Sequence, residues 1–143
     1  SSMGISKEEY EHITYELTLK FANTLARLNP KMTFTYVSGQ GTDSRDKGRS
    51  HWARVKGKTE NDLKKLPFKQ VFAYRPGFMK PTAKNSLHVI PAYKYLNWTF
   101  PIGRKIYPNG FNTLDEVARS MVNVSAEGFN GFILNGKEIT ETA

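Results

Sequence analysis

Ser38, Trp52 and Lys56 have residue types and a spacing that could support chemistry. Ser38 ends an apolar, strand-like run, and a helical segment fourteen residues further on carries Trp52 and then Lys56. Four residues span about 400° of helix, so the two helical side chains project from one face and can converge on one site. Proton transfer there would need a group that titrates. An indole N–H only donates a hydrogen bond and does not titrate near neutrality.

The segments around these residues alternate between helix and strand. Ser6 to Leu28 is predicted to be a long helix, because Ser6 and Glu9 form a capping box and apolar residues recur at helical spacing. The recurring residues, which we expect to be buried, are Tyr10, Ile13, Leu17, Phe21, Leu25 and Leu28. The later elements are a strand at 32–37, a helix at 51–66, a strand at 69–74, a helix from Thr113 to about Val124 and a strand at 131–134.

The alternation of helix and strand indicates an α/β fold, with parallel strands covered by helices. Residues 78–112 interrupt it, because five of the seven prolines lie between Pro76 and Pro108. We expect an irregular segment there, with a short helix near Tyr93–Trp98. Only two or three strands are predicted, fewer than parallel sheets usually contain, and the sequence begins with a helix. These features predict that the first half of the fold is absent.

The composition indicates a globular protein of one domain. The 143 residues include no cysteine, which excludes disulfides, thiolate metal sites and a cysteine nucleophile, and the three histidines lack metal-ligand spacing. No run approaches the roughly 20 apolar residues of a membrane span, and the polar start does not resemble a signal peptide. We therefore expect a cytoplasmic protein. The formal net charge of +8 fits either an anionic partner or simply a basic surface.

Four segments together resemble the C-terminal half of an atypical, extended-like short-chain dehydrogenase/reductase. They read YVSGQGTDS, WARVKGKTEND, LPFKQVFAYRPGFMKP and TLDEVARSMV, and they follow the family's order over most of the chain. Members are NAD(P)-binding Rossmann proteins, often NAD-dependent epimerases/dehydratases or nucleoside-diphosphate-sugar epimerases. The resemblance implies that residues 1–143 are one incomplete domain. It would be the C-terminal part of a Rossmann-like, doubly wound parallel sheet, with the N-terminal dinucleotide-binding half absent and a substrate lid at about 78–112.

The resemblance assigns a role to each residue of the opening constellation. It makes Ser38 the serine that hydrogen-bonds the reacting oxygen. It makes Lys56 the lysine that holds the nicotinamide ribose and lowers the pKa of a catalytic tyrosine. Trp52 occupies the position of that tyrosine, so we expect this chain to be inactive as an oxidoreductase or epimerase. The family's turn against the nicotinamide end of the cofactor matches Arg75, Pro76, Gly77 and Phe78.

Each of these residues also has a purely structural interpretation. Ser38 fits a turn that ends a strand, Lys56 a solvated helix surface, and Trp52 a packing residue. The Pro-Gly turn needs no ligand to explain it. Ordinary packing also fits the aromatic residues of the lid region, which are Tyr93, Tyr95, Trp98, Phe100 and Tyr107. Histidine is a residue type that can carry a proton near neutrality, but His51 lies about 500° of helix from Lys56 and so faces about 140° away.

The cofactor predicted by the resemblance is NAD or NADP. The Gly-x-Gly-x-x-Gly turn that cradles a dinucleotide pyrophosphate does not occur in this sequence, and neither GISKEEYE nor GQGTDS has its context. We therefore expect the full-length protein to bind the cofactor, and this chain alone to bind little or none. The first alternative function is a non-catalytic module that senses a dinucleotide or regulates a partner. The second is a basic nucleic-acid-binding domain, whose association would weaken steeply with salt.

The expected partner is a second copy of the chain. Helices 6–28 and 51–66 correspond to elements that often form a four-helix dimer interface in the family, and the strand at 32–37 would leave an unpaired edge. The small-molecule substrate stays open, because the lid residues that set it vary within the family. No membrane partner is expected. Nucleic acid is the least favoured partner, because the basic residues are spread along the chain and form no recognised motif.

Overall fold

The structure is a computed structural model that describes residues 4–80 and 100–143. The chain divides into two compact units, Ser1–Ala73 and Tyr74–Ala143. The helix predicted near Tyr93–Trp98 lies outside the described residues, and so do the three aromatic residues Tyr93, Tyr95 and Trp98. Within the described ranges, no helix combines the length and the apolar character that a membrane crossing requires.

The first unit is built from a long N-terminal helix, two strands and a second helix. Its elements are α1 (Lys7–Glu11), a π-helical segment (His12–Glu16), α2 (Leu17–Leu28), β1 (Thr33–Val37), α3 (His51–Leu63) and β2 (Gln70–Arg75). The end of β2 belongs to the second unit. The helices and strands predicted for this part of the sequence are confirmed, with their ends shifted by at most three residues.

The apolar stripe of the N-terminal helix is not the face that the helix buries, so this prediction was wrong. Tyr10 is buried, but four later members of the stripe are between 47% and 76% exposed, namely Ile13, Leu17, Phe21 and Leu28. The buried residues of α2 are Ala22 and Ala26 instead.

The π-helical segment explains why the buried face changes. A π turn holds about one residue more than an α turn, so the residues beyond it are rotated by about 100° relative to a regular helix. In a regular helix Ala22 would lie about 120° from Tyr10, and the extra residue reduces this angle to about 20°. Tyr10 and Ala22 therefore share the buried face, while Leu17 and Phe21 turn toward solvent.

Polar contacts hold α3 against the N-terminal helix. The Tyr15 hydroxyl donates to Asp62 Oδ2 at 2.8 Å, and Lys58 Nζ lies 3.0 Å from Glu11 Oε1. The Lys58 ammonium also lies 4.0 Å from the centre of the Tyr15 ring. These contacts fix the rotation of α3, and the rotation decides which of its residues face the end of β1.

The second unit contains short strands and helices. Its described elements are β3 (Phe78–Lys80), α4 (residues 100–106), a 3-10 turn (Pro108–Gly110), β4 (Phe111–Thr113), α5 (Leu114–Glu127), β5 (Ile133–Asn135) and α6 (Gly136–Glu141). The prediction that 78–112 is irregular was wrong for the described ends of that segment. β3 and β4 stabilise each other by pairing across a long sequence separation, which no local pattern reveals.

The strands form two small sheets in an α/β arrangement. One sheet has three parallel strands in the order β1-β2-β5, so β1 lies at its edge. The other contains β3 and β4, which run parallel with Phe78 opposite Phe111 and Lys80 opposite Thr113. The α/β class predicted from the alternation is thus confirmed, and the small parallel sheet is compatible with part of a Rossmann-like fold.

A capping box begins α5, the helix that the sequence predicts from Thr113. Thr113 Oγ1 accepts a hydrogen bond from the Glu116 N–H at 3.1 Å, and Glu116 Oε2 accepts one from the Thr113 N–H at 2.8 Å. This reciprocal pair satisfies two backbone donors at the start of the helix. The helix buries Val117 and Val124, which belong to the core of the second unit, and it ends before Gly128, whose φ is 84°.

Candidate functional site

The structure brings Ser38 and Lys56 together in the first unit. Ser38 directly follows β1, and Lys56 lies in the second turn of α3. The Lys56 ammonium donates a hydrogen bond to the backbone carbonyl of Ser38. Ser38 itself is 5% exposed, so it lies beneath the surface and its hydroxyl is not offered to solvent.

Glu60 completes this cluster, and sequence reasoning missed it. The Ser38 hydroxyl donates to Glu60 Oε1, and the Ser44 hydroxyl donates to Glu60 Oε2 at 3.3 Å. Glu60 is fully buried. Its position could have been found from the spacing, because Trp52, Lys56 and Glu60 recur every four residues and so lie along one face of α3. We call Ser38, Ser44, Lys56 and Glu60 the serine–glutamate cluster.

Burial changes the proton affinities around the cluster. Loss of solvent lowers the pKa of Lys56, and the nearby Glu60 charge opposes that shift. Burial also raises the pKa of Tyr36 to about 12, with smaller contributions in the same direction from Tyr10 and Glu60 and an opposing hydrogen bond to Thr59. Tyr36 precedes Ser38 by two residues. The tyrosine beside the cluster is therefore held in its neutral form at physiological pH.

Trp52 packs against the turn that follows Ser38. Its ring lies over Gly41, where an added Cβ would be 3.6 Å from the indole Cη2. Gly39 and Gly41 both have positive φ, 132° and 86°, so the turn needs glycine at these positions. Trp52 also lines a surface pocket of about 180 Å³ together with Tyr10 and other residues of the chain's N-terminal part.

His51 faces the N-terminal helix. Its Nε2 lies 3.2 Å from the carbonyl oxygen of Lys7, and its ring meets the Tyr10 ring edge-on with centroids 6.2 Å apart. These two contacts occupy the imidazole on the side of α1. His51 therefore faces α1 and not the side of Lys56, as the helical rotation between the two residues predicts.

The loop between Ser38 and α3 is held in place by Asp43. Its carboxylate accepts hydrogen bonds from the backbone N–H groups of Arg45, Lys47 and Gly48 at 3.0, 2.9 and 2.5 Å. These bonds lower the pKa of Asp43, with the one from Gly48 contributing most. The Asp43 carbonyl also packs directly on Gly57 of α3, where a Cβ would overlap it. The loop thus delivers Ser44 to the cluster at a fixed position.

Arg75, Pro76, Gly77 and Phe78 lie in the second unit, where they form a packed turn. Pro76 is buried, and a Cβ on Gly77 would overlap the backbone of Gly110. The Phe78 ring lies 6.2 Å from that of Phe111 and 6.3 Å from that of Phe100. The close approach of two backbones accounts for the glycine of this turn. Of the lid aromatics that are described, Phe100 is buried and Tyr107 is 52% exposed.

Similarity to known proteins gives no family for this chain. No protein-family model matches it, and no curated protein is significantly similar to it. Within residues 4–80 and 100–143, no three His, Asp or Glu side chains are grouped so that they could hold a metal ion.

The arrangement can hold hydrogen-bonding groups, but it lacks a proton carrier at the position of Trp52. The Ser38 hydroxyl donates its hydrogen bond to Glu60, so any further partner of that oxygen has to donate a hydrogen bond to it. The Lys56 ammonium has three N–H groups, and one of them bonds the Ser38 carbonyl. The cluster therefore offers further N–H donors at Lys56.

Replacing Glu60 tests whether the cluster stabilises the first unit. We expect Glu60→Ala to lower the free energy of unfolding by about 3 kcal/mol, because it leaves the hydroxyls of Ser38 and Ser44 without their buried acceptor and removes the carboxylate near the Lys56 ammonium. Glu60→Gln keeps one carbonyl oxygen for Ser38 and should cost at least about 1 kcal/mol less. Urea denaturation followed by circular dichroism measures both. Glu16→Ala, at an exposed pair with His12, is the control and should change stability by under about 1 kcal/mol. Equal losses for Glu60→Ala and the control would contradict this account.

Proposed function

We propose that this chain is part of a longer protein related to short-chain dehydrogenases/reductases, an NAD(P)-dependent oxidoreductase or nucleoside-diphosphate-sugar epimerase in type, and that the chain itself is inactive. The observation that carries the proposal is the meeting of Ser38 and Lys56 at the end of a strand of a parallel sheet. These are the two residues that the family resemblance assigns to substrate and cofactor. The proposed location is the cytoplasm.

The replacement of the proton carrier supports the absence of catalysis. Trp52 packs on the Gly39–Gly41 turn through a ring that cannot accept or release a proton near neutrality. The neighbouring Tyr36 does not compensate, because a pKa of about 12 keeps its proton in place. His51 is engaged with Lys7 and Tyr10 instead.

The residues present fit only one end of a dinucleotide. When bound, a nicotinamide dinucleotide supplies hydride transfer. Lys56 would hold the ribose next to the nicotinamide, because its ammonium is half-buried and has N–H groups beyond the one that bonds Ser38. A pyrophosphate cradle does not occur in the sequence, so binding by this chain alone should be weak.

A non-catalytic binding or regulatory module is the second candidate. It is favoured by the hydrogen bond that the Ser38 hydroxyl donates to the buried Glu60. In the family, the serine hydroxyl donates that hydrogen bond to the substrate carbonyl instead. A site built this way can recognise a ligand without polarising a carbonyl for reaction.

Cofactor titration tests whether the complete protein binds a nicotinamide dinucleotide tightly and this chain alone binds it only weakly. In calorimetric titrations with NADH, NAD, NADPH and NADP, we expect this chain to bind with a dissociation constant weaker than about 1 mM, which corresponds to about −4 kcal/mol. The protein encoded by the complete reading frame should bind one of the pairs at micromolar concentration. Micromolar binding by the short chain would contradict the missing cradle. No binding by the longer protein would remove the functional assignment.

Restoring a tyrosine at position 52 tests the role of that position. We expect Trp52→Tyr in the complete protein to gain reductase activity toward a panel of carbonyl substrates, while the unchanged protein shows none, because a phenol beside Lys56 can carry a proton. The matched control is His51→Tyr, which places the same side chain against α1. Activity that appears equally in both variants, or is already present with Trp52, would argue against the proposal.

Assembly with a second copy is the proposed interaction of the first unit. The exposed residues Ile13, Leu17, Phe21 and Leu28 give the N-terminal helix a face that is apolar over several turns. β1 lies at a sheet edge, which offers a second surface where another copy could pair. We place the interface on the helix face, extended by α3 of the same unit.

Light scattering with a variant of the helix face tests this assembly. We expect the wild-type chain to have at least twice the monomer mass, and Phe21→Ser to shift the population to monomer, because Phe21 is 62% exposed in the single chain. Asn23→Ser, at an exposed polar position of the same helix, should leave the mass unchanged. A monomeric wild-type chain would refute the proposal.

A further inference from the structure

The second unit contains a pocket of about 440 Å³ between α4, the turn at Pro108–Gly110 and α6. Its polar lining is formed by Arg104 and Lys105 of α4 and by Lys137, Thr140 and Glu141 of α6. Small-molecule sites usually have volumes of about 300–1,000 Å³. The pocket therefore has the size of a site for a small ligand, and we call it the α4–α6 pocket.

Hydrogen bonds fix the α6 side of this pocket. The Lys137 N–H donates to Asn109 Oδ1 at 2.9 Å, and Asn112 Nδ2 donates to the Gly136 carbonyl at 2.8 Å. A Cβ on Gly136 would overlap the backbone of Asn109. The start of α6 and the 108–110 turn are thus locked together, so these walls exist before any ligand binds.

The α4 side is fixed as well. Arg104 Nη2 lies 2.6 Å from Glu116 Oε1, and Glu116 is held by the cap of α5. Gly103 packs so closely on the Phe111 ring that a Cβ there would overlap it. One of the five guanidinium N–H groups serves the Glu116 bond, and the side chain still lines the pocket.

The charges around the pocket are unbalanced in favour of cations. Three basic side chains and one carboxylate line it. Lys137 Nζ lies 3.6 Å from Glu141 Oε1, which is too long for a hydrogen bond and leaves a loose surface pair. No ion pair of Lys105 occurs among the described residues, and its side chain is exposed. An anion in this cavity would be surrounded by two ammonium groups and a guanidinium.

We propose that the α4–α6 pocket binds a small phosphomonoester with an apolar body. The phosphate would be held by Arg104, Lys105 and Lys137, because a dianion with three terminal oxygens can accept hydrogen bonds from all three at once. The apolar part would lie against Pro101 and Pro108, which form the remaining wall. This site lies wholly within the second unit and does not depend on a dinucleotide at the serine–glutamate cluster.

Calorimetric titration of the chain with phenyl phosphate tests the site. We expect saturable binding of one molecule per chain, tighter than that of inorganic phosphate, because the ring adds contact with the prolines. Phenol should not compete. Binding should weaken when the pH falls from about 7.5 to about 5, since phosphate loses its second charge near pH 6. Benzoate binding as tightly as phenyl phosphate would overturn the phosphate assignment.

Charge-matched variants show whether binding uses this pocket. We expect Lys105→Gln and Lys137→Gln each to weaken phenyl phosphate binding about tenfold, equivalent to about 1.4 kcal/mol for one charge-assisted hydrogen bond. Arg119→Gln removes the same charge from an exposed position of α5 outside the pocket, and it should change the dissociation constant less than about twofold. An equal loss in all three variants, or no saturable binding by the unchanged chain, would overturn the proposal.

Discussion

A buried carboxylate sets the arrangement of the first unit. Glu60 has no exposed surface, and a carboxylate in such a position is tolerated only when hydrogen bonds replace the water that it has lost. Ser38 supplies one bond from the end of β1, and Ser44 supplies another from the loop that follows. Strand, loop and helix are therefore tied together at one point. Lys56 binds the Ser38 carbonyl one helical turn away, so its position depends on the same contacts.

These contacts also limit the chemistry that the first unit can perform. A serine that donates to a carboxylate cannot donate the same hydrogen to a ligand, and a lysine bonded to a carbonyl has only its remaining N–H groups for a ligand. Burial lowers the pKa of that lysine, and the nearby Glu60 charge opposes the shift. Trp52 adds surface area and one N–H donor. The combination suits hydrogen bonding to a group with acceptor oxygens better than it suits proton transfer.

Local patterns in the sequence predicted the elements but not the contacts between them. The Ser6 and Thr113 caps, the strand before Ser38 and α3 follow from short-range rules, and the structure confirms them. The buried face of the N-terminal helix did not follow, because a π turn shifts the helical phase and no residue pattern marks it. Strands β3 and β4 were missed because three-residue strands gain their stability from a distant partner. For the candidate site, the Ser38–Lys56 pair was expected and Glu60 was not. The four-residue spacing places Glu60 on the same helix face as Lys56, but a glutamate in a charged helix gives no sign of burial.

The serine–glutamate cluster and the α4–α6 pocket differ in whether their charged groups already have close partners. In the serine–glutamate cluster each charge already faces a partner: Lys56 a carbonyl and Glu60 two hydroxyls. A ligand there has to compete with contacts that stabilise the fold, so tight binding would weaken the fold or require further contacts from elsewhere. In the α4–α6 pocket the walls are held by Asn109, Asn112 and Glu116, whereas Lys137 has only a loose pair with Glu141 and Lys105 has no ion pair among the described residues. An anion there replaces water rather than a protein contact. On physical grounds, positive charge is therefore more available to a ligand in the α4–α6 pocket than in the serine–glutamate cluster.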